Sequence, residues 1–235
     1  MYLTYLADVC RRAGLKVHEV DGWQKRGHAG ELTSVKTIVC HHTGGSTARQ
    51  DSRPMGSLNT VTYGRPGLAG PLCNLGLGRD GTVYVVAAGK AWHAGVVRHI
   101  DYINARSIGI EAQNAGTKAD PWTEVQMDAY GRLCAALCVA YGLTADDVLG
   151  HKEVCDPKGR KIDPTLGFER RWNSEGHGEI NSARRRSRCS LHSVCQCFVM
   201  ITGCFPVDCS ISQTATVLSQ SWHGSPAVPM RYQFA

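Results

Sequence analysis

The stretch Thr37-Ile-Val-Cys-His-His-Thr-Gly-Gly45 decides how this 235-residue chain is read. Thr37 to Cys40 is a compact β-favouring run, and Gly44 and Gly45 allow a sharp exit from it. Two adjacent histidines are thus predicted at the end of a strand. Rigid strand ends and the loops beside them are where an α/β domain brings distant side chains together.

Working outward, Leu75-Gly-Leu77 and Thr82-Val-Tyr-Val-Val-Ala-Ala88 flank Arg79-Asp-Gly81, and an Asp-Gly pair between apolar runs predicts a hairpin. Ser107-Ile-Gly-Ile-Glu-Ala-Gln113 alternates Ile108, Ile110 and Ala112 against Gly109, Glu111 and Gln113, a strand with Glu111 opposite the isoleucines. Thr123 opens the clearest helix, with Gln126 expected as its capping-box partner. Met127, Tyr130, Leu133, Cys134, Leu137 and Tyr141 form its buried stripe, and Gly142 ends it. Leu3, Leu6, Val9, Cys10 and Ala13 predict a short opening helix stopped by Gly14, and a turn or short helix is expected over Thr144 to Leu149, just before Gly150-His151. This order predicts an α/β fold, a central mixed sheet flanked by helices.

The length allows one domain with a full core and an appended segment. After Trp172 the texture changes: lysines stop at Lys161, five of the eleven cysteines crowd between Cys189 and Cys209, and Arg184-Arg-Arg-Ser-Arg188 appears. We therefore expect a catalytic domain over residues 1–172 and a Cys/Ser/Arg-rich tail over 173–235, without sustained helical or strand periodicity. A formal charge of +6 favours approach to a polyanion without choosing among cell wall, nucleic acid and anionic lipid. Met1-Tyr-Leu-Thr-Tyr-Leu-Ala-Asp8 has no cationic start or cleavage site, so no secretory signal is read. No run approaches the roughly 20 apolar residues of a membrane span. A soluble product made in the cytoplasm, its cysteines mostly thiols, is the expectation.

His41, His42, His93, His151, Asp163 and Cys155 are candidate metal ligands by residue type, because catalytic zinc takes three protein ligands of mixed histidine and carboxylate character and keeps one position open. Spacing does not choose among them. There is no His-Glu-x-x-His helix and no paired Cys-x-x-Cys.

Five motifs in order, His41-His-Thr-Gly-Gly45, His93-Ala-Gly95, Ser107-Ile-Gly-Ile-Glu111, Gly150-His151 and Lys161-Ile-Asp-Pro164, resemble those of the type-2 N-acetylmuramoyl-L-alanine amidases. That family includes phage lysins, muropeptide-recycling amidases and peptidoglycan recognition proteins. The resemblance covers roughly residues 16 to 170, and Gly22-Trp-Gln-Lys-Arg-Gly27 is similar to the lead-in of lysins from phages of mycobacteria and related actinobacteria.

The resemblance implies one zinc ion held by His41, His151 and Asp163. His42 is left a structural role, in keeping with the opposite directions of neighbouring strand side chains. Asp163 fills the position where relatives use Asp or Cys, which leaves Cys155 to ordinary packing. The resemblance further implies Glu111 as general base and Lys161 as the cation that steadies the transition state. Cys73 falls where other phage amidases carry a catalytic tyrosine, a departure that shifts the burden onto Glu111. His93 is expected to bind or orient substrate, and Asn104 and the loop Gly67 to Leu72 to line the groove.

The implied function is hydrolysis of the amide between N-acetylmuramic acid and L-alanine of bacterial peptidoglycan by a monomeric phage or prophage lysin, released to the wall through holin lesions. The alternatives are a cytoplasmic muropeptide-recycling amidase and a peptidoglycan-binding module without catalysis. A nucleic-acid binder built on the Arg184 to Arg188 cluster is not expected, since the tail cysteines match no zinc-binding pattern.

Overall fold

The computed structural model describes residues 1–45 and 53–165. The tail from 173 and the boundary at 172 lie outside the described residues. In chain order the elements are α1 (Leu6–Arg12), β1 (Val17–Glu19), β2 (Thr37–His42), α2 (Leu58–Tyr63), β3 (Gly64–Arg65), β4 (Leu68–Ala69), β5 (Leu75–Leu77), β6 (Val83–Val85), β7 (Ser107–Ala112), α3 (Glu124–Tyr141), β8 (Val148–Gly150) and α4 (His151–Val154). Among the described residues, six strands form one sheet in the order β1-β6-β5-β7-β2-β8. The β5–β6 pair is antiparallel, joined through Arg79-Asp-Gly81, and every other pairing in that sheet is parallel, so the sheet is mixed as expected.

The period-2 alternation of the strands sorts the two faces. Ile38 and Cys40 of β2 and Ile108, Ile110 and Ala112 of β7 enter the main core with Leu6 and Cys10 of α1 and Tyr130, Leu133, Cys134 and Leu137 of α3. Each fully buried leucine or isoleucine contributes about 1.5–3 kcal/mol. The residues between them on β2 and β7, namely Val39, His41, Ser107, Gly109 and Glu111, face the other way. That side is not bare: Val39 packs with Leu149 and Val154, which explains why all six residues of β2 are buried. His41, Glu111 and His151 all come at or just past the C-terminal ends of the adjacent parallel strands β2, β7 and β8, the edge where open α/β sheets bind ligands.

One expectation is corrected and another is met over a shorter span. Thr123 does cap α3, its hydroxyl accepting from the Gln126 N–H at 3.2 Å. Gln126 does not return the bond: its side-chain N–H groups donate to the Leu77 and Gln113 carbonyls, and its Oε1 has no hydrogen-bond partner. The buried amide ties the helix to two strands in place of closing a capping box. The segment expected as a turn or short helix after α3 is a single 3-10 turn, Ala145–Asp147, followed by β8, which pairs with β2 along Ile38 to Cys40. Three residues are too short a run for periodicity to reveal a strand. Gly142 adopts φ 65° at the end of α3, as its place there requires.

Candidate metal and catalytic site

Three side chains converge beside β2. His41 Nδ1, His151 Nδ1 and Asp163 Oδ2 are mutually 3.0 Å apart. His41 and His151 are buried, and Asp163 is 14% exposed, so the cluster opens to solvent on the carboxylate side. His151 arrives directly after β8 as the first residue of α4. Asp163 is drawn in by its own backbone, whose carbonyl accepts from the Lys152 N–H at 2.8 Å.

The protons of this cluster can be assigned in part. His151 Nε2 lies 3.0 Å from the Ala94 carbonyl, which only accepts, so that nitrogen carries the hydrogen and Nδ1 is the one left to face the cluster as a ligand atom. Asp163 is an ionised carboxylate: burial pushes its pKa up, but the imidazoles of His151 and His41 beside it outweigh that and hold it well below the usual carboxylate range. Burial lowers His41 to about 4 against the opposing pull of Asp163, so it too is neutral near pH 7. Lone pairs on two imidazoles and a carboxylate meeting at hydrogen-bond distance fit a cation between them. This His/His/Asp set is of the kind that binds catalytic zinc.

Glu111 is the residue opposite His41 in the parallel β2–β7 register, on the same face. Its Oε2 is sealed from solvent and has no hydrogen-bond partner. Burial and the nearby Asp163 carboxylate raise its pKa to about 8, and Lys161 pulls the other way. Lys161, partly exposed, is thus within electrostatic reach of Glu111 and of His41. Cys73 is fully buried against Glu111; desolvation and the glutamate's charge push its thiol well above its usual range, so it stays protonated.

The remaining predicted residues take supporting places. His93 is 7% exposed, with Nδ1 3.2 Å from His41 Nε2 and Nε2 3.3 Å from Ser107 Oγ. Asn104 Oδ1 accepts from the N–H groups of His93 and Ala94 at 3.0 and 2.8 Å. Leu72, expected in the groove, is 8% exposed and packs with Val61, Cys73 and Val86 in a second apolar cluster, because α2 and its neighbours cover that side of the sheet. His42 points away from the cluster, its Nδ1 accepting from the Thr165 N–H at 3.3 Å. The Cys155 thiol turns to the carbonyls of Lys152 and Pro157, outside the His/His/Asp group.

Three contributors were not singled out from sequence. The Tyr130 hydroxyl reaches out of the main core to accept from the His41 N–H at 3.1 Å and to donate to the His41 or Ile110 carbonyl, each 3.2 Å away. Gly109 leaves room for the His93 ring: a Cβ there would lie 2.4 Å from His93 Cγ. Ser107 completes the trio. Ser107 and Gly109 share the Glu111 face by alternation, so the spacing in Ser-Ile-Gly-Ile-Glu carried the signal.

Comparison with known proteins agrees with this geometry. A family model described as N-acetylmuramoyl-L-alanine amidase matches residues 31–166, more than half of the chain. The chain belongs to this amidase family. Among curated amidases, the chain is 36% identical over 95 residues to the 1,6-anhydro-N-acetylmuramyl-L-alanine amidase AmpD of Enterobacter cloacae, a match covering 39% of this chain and 49% of that one. The AmpD of Salmonella typhimurium strain LT2 is 34% identical over 95 residues with the same coverage. The chain spans about half the length of the curated relatives it matches. The amidase fold is shared with a crystal structure of a selenomethionine AmpD derivative at TM-score 0.50 and 22% identity, covering 68% of this chain and 93% of that one. Among the described residues, no helix of this family member is long and apolar enough to cross a membrane.

Proposed function

We propose that this chain is a zinc-dependent hydrolase that cleaves the amide between N-acetylmuramic acid and L-alanine of bacterial peptidoglycan. The observation that carries the reading is the convergence of His41 Nδ1, His151 Nδ1 and Asp163 Oδ2 at 3.0 Å beside Glu111, whose Oε2 is sealed from solvent and without a hydrogen-bond partner. Family membership supports the substrate class.

His41, His151 and Asp163 would hold the ion, which when bound supplies the Lewis acidity that activates water and polarises a carbonyl. Glu111 takes the proton of the attacking water and passes it to the departing L-alanine amine. Beside a held cation, the raised pKa of Glu111 would be drawn back down, favouring the carboxylate form that takes a proton and then gives it back. Lys161 offers positive charge to the oxyanion that develops on the amide carbonyl. Cys73, a neutral buried thiol, fills space behind Glu111 and adds no proton transfer.

A peptidoglycan-binding module without catalysis is disfavoured, because all three metal positions hold competent donors and Glu111 is placed beside them. Within catalysis, two settings remain: a phage or prophage lysin acting on the wall, the setting suggested by the actinobacteriophage-like lead-in, and recycling of soluble muropeptides, favoured by the AmpD relatives. The test is digestion of intact cell walls and of soluble muropeptides with and without a chelator. New L-alanine amino termini on intact glycan strands, lost with chelator and restored by zinc, support the proposal; cleavage confined to soluble fragments selects recycling. Glycan cleavage, or turnover indifferent to chelation, overturns it.

A further inference from the structure

His41 Nε2 and His151 Nε2, the nitrogens turned away from the converging triad, both meet neighbours from one dipeptide, His93-Ala94. The Ala94 carbonyl receives His151 Nε2–H at 3.0 Å, and His93 Nδ1 faces His41 Nε2 at 3.2 Å. The second contact has its direction fixed further along. Ser107 Oγ has one proton and two carbonyls near it, Ile103 at 2.9 Å and Tyr102 at 3.2 Å, groups that only accept. With its proton committed there, Ser107 Oγ accepts from His93 Nε2–H. His93 then presents a bare Nδ1, which accepts from His41 Nε2–H and leaves His41 Nδ1 bare toward Asp163 and His151. The dipeptide is itself fixed, because Asn104 Oδ1 accepts from both of its backbone N–H groups. Gly109 lets the His93 ring lie against β7 where any side chain would strike it.

We propose that His93-Ala94, pinned by Asn104, is the tautomer-setting element of the metal centre, with a Ser107-to-His93-to-His41 relay that keeps His41 Nδ1 free of hydrogen. His93, Ser107 and Asn104 are then positioning residues, acting on metal affinity through the two ligand imidazoles. This goes beyond the three ligands but rests on reading them as a metal site. Partners of this kind govern ring orientation and ligand basicity, and their loss costs about 10–100-fold in metal affinity.

The experiment uses the full chain stripped of metal. Zinc affinity is measured by competition with a chromophoric chelator for the wild type, His93→Phe, His93→Gln and Ser107→Ala, each checked for folding by circular dichroism. Imidazole ¹⁵N spectra of the metal-free forms read the His41 tautomer directly. The expected result is a His41 hydrogen on Nε2 in the wild type, zinc binding weakened about 10–100-fold by His93→Phe and Ser107→Ala, and recovery in His93→Gln, whose amide can accept from His41 and donate to Ser107. Should His93→Phe fail to fold, Ser107→Ala carries the same comparison. Unchanged zinc affinity in folded His93→Phe or Ser107→Ala, or a wild-type His41 hydrogen on Nδ1, overturns the relay. A wild type that binds no zinc but keeps the Nε2–H tautomer overturns the metal reading and leaves the relay standing, so the two failures are told apart.

Discussion

Glu111 and His41 sit directly opposite one another on adjacent parallel strands, so the proposed base and a proposed ligand share one face at one level of the sheet. The pairing is covalently cheap and geometrically stiff: register in a buried sheet slips only by turning every side chain to the wrong face. The proposed base and the proposed ligand are thereby held at a fixed separation by backbone hydrogen bonds.

That division of labour separates two kinds of variant. His41→Ala, His151→Ala and Asp163→Ala should remove both bound zinc and turnover. Glu111→Gln and Lys161→Ala should keep stoichiometric zinc by elemental analysis and lose about 10²–10⁴ in kcat. A Glu111→Gln enzyme with undiminished kcat would refute its role as base.

The buried carboxylate also makes a stability prediction for the metal-free protein. Glu111 has a folded pKa near 8, above its ordinary 4.5, so the folded state binds the proton more tightly. Its contribution is fully present below pH 4.5 and is lost as the pH rises through 8, at no more than about 1.4 kcal/mol per pH unit. Glu111→Gln lacks this titration. Urea melts at several pH values should show the variant gaining on the wild type from pH 5 to pH 9, and taking the difference cancels the opposite trend from His41, which burial lowers. A constant difference would mean the carboxylate is not held in a dry site.

Tyr130→Phe removes only a hydroxyl, yet that oxygen is the acceptor for the His41 N–H deep in the sheet. An orphaned buried N–H costs about 1–3 kcal/mol, so thermal unfolding should move down by roughly 2–4 °C per kcal/mol for a domain of this size. An unchanged midpoint would show that another acceptor replaces the phenol.

Gly109→Ala tests the packing of His93. The added methyl meets the imidazole at 2.4 Å, and the strand backbone cannot retreat, so the ring must move. Overpacking of this kind costs about 1–3 kcal/mol, and zinc affinity should fall along with stability. Full affinity in a folded Gly109→Ala protein would show that the His93 ring can shift without disturbing His41.

Much of this was legible because the informative segments are long or punctuated. β2, β7 and α3 carry clear periods and caps, and the Asp-Gly turn marks its hairpin. β1 and β8 span three residues each, below the length at which alternation means anything, and β8 is a strand because β2 offers it an edge. The convergence of His41 with His151 and Asp163 was no property of local spacing; it followed from ordered motifs and depends on strand neighbours far apart in sequence. The burial of Leu72 and the backbone contacts of Asn104 were not foreseen, because loop composition reports neither. A leucine beside Pro71 and Cys73 had an apolar cluster to enter, and Asn104 found two backbone donors to satisfy.

The triad joins positions 110 and 122 apart in the chain. An ion held there would be a cross-link that closes a loop through most of the described sequence, stapling β2, next to the edge strand β8, to the last described segment. Loss of the ion would therefore be felt first as loosening around Asp163 and only afterwards in the core, since β2 is paired along its length with β7 and β8 while the segment beyond α4 is tied by separate hydrogen bonds, such as those of Thr165 to His42 and Gly116. Susceptibility to proteolysis near residue 163 would then report whether the site is loaded.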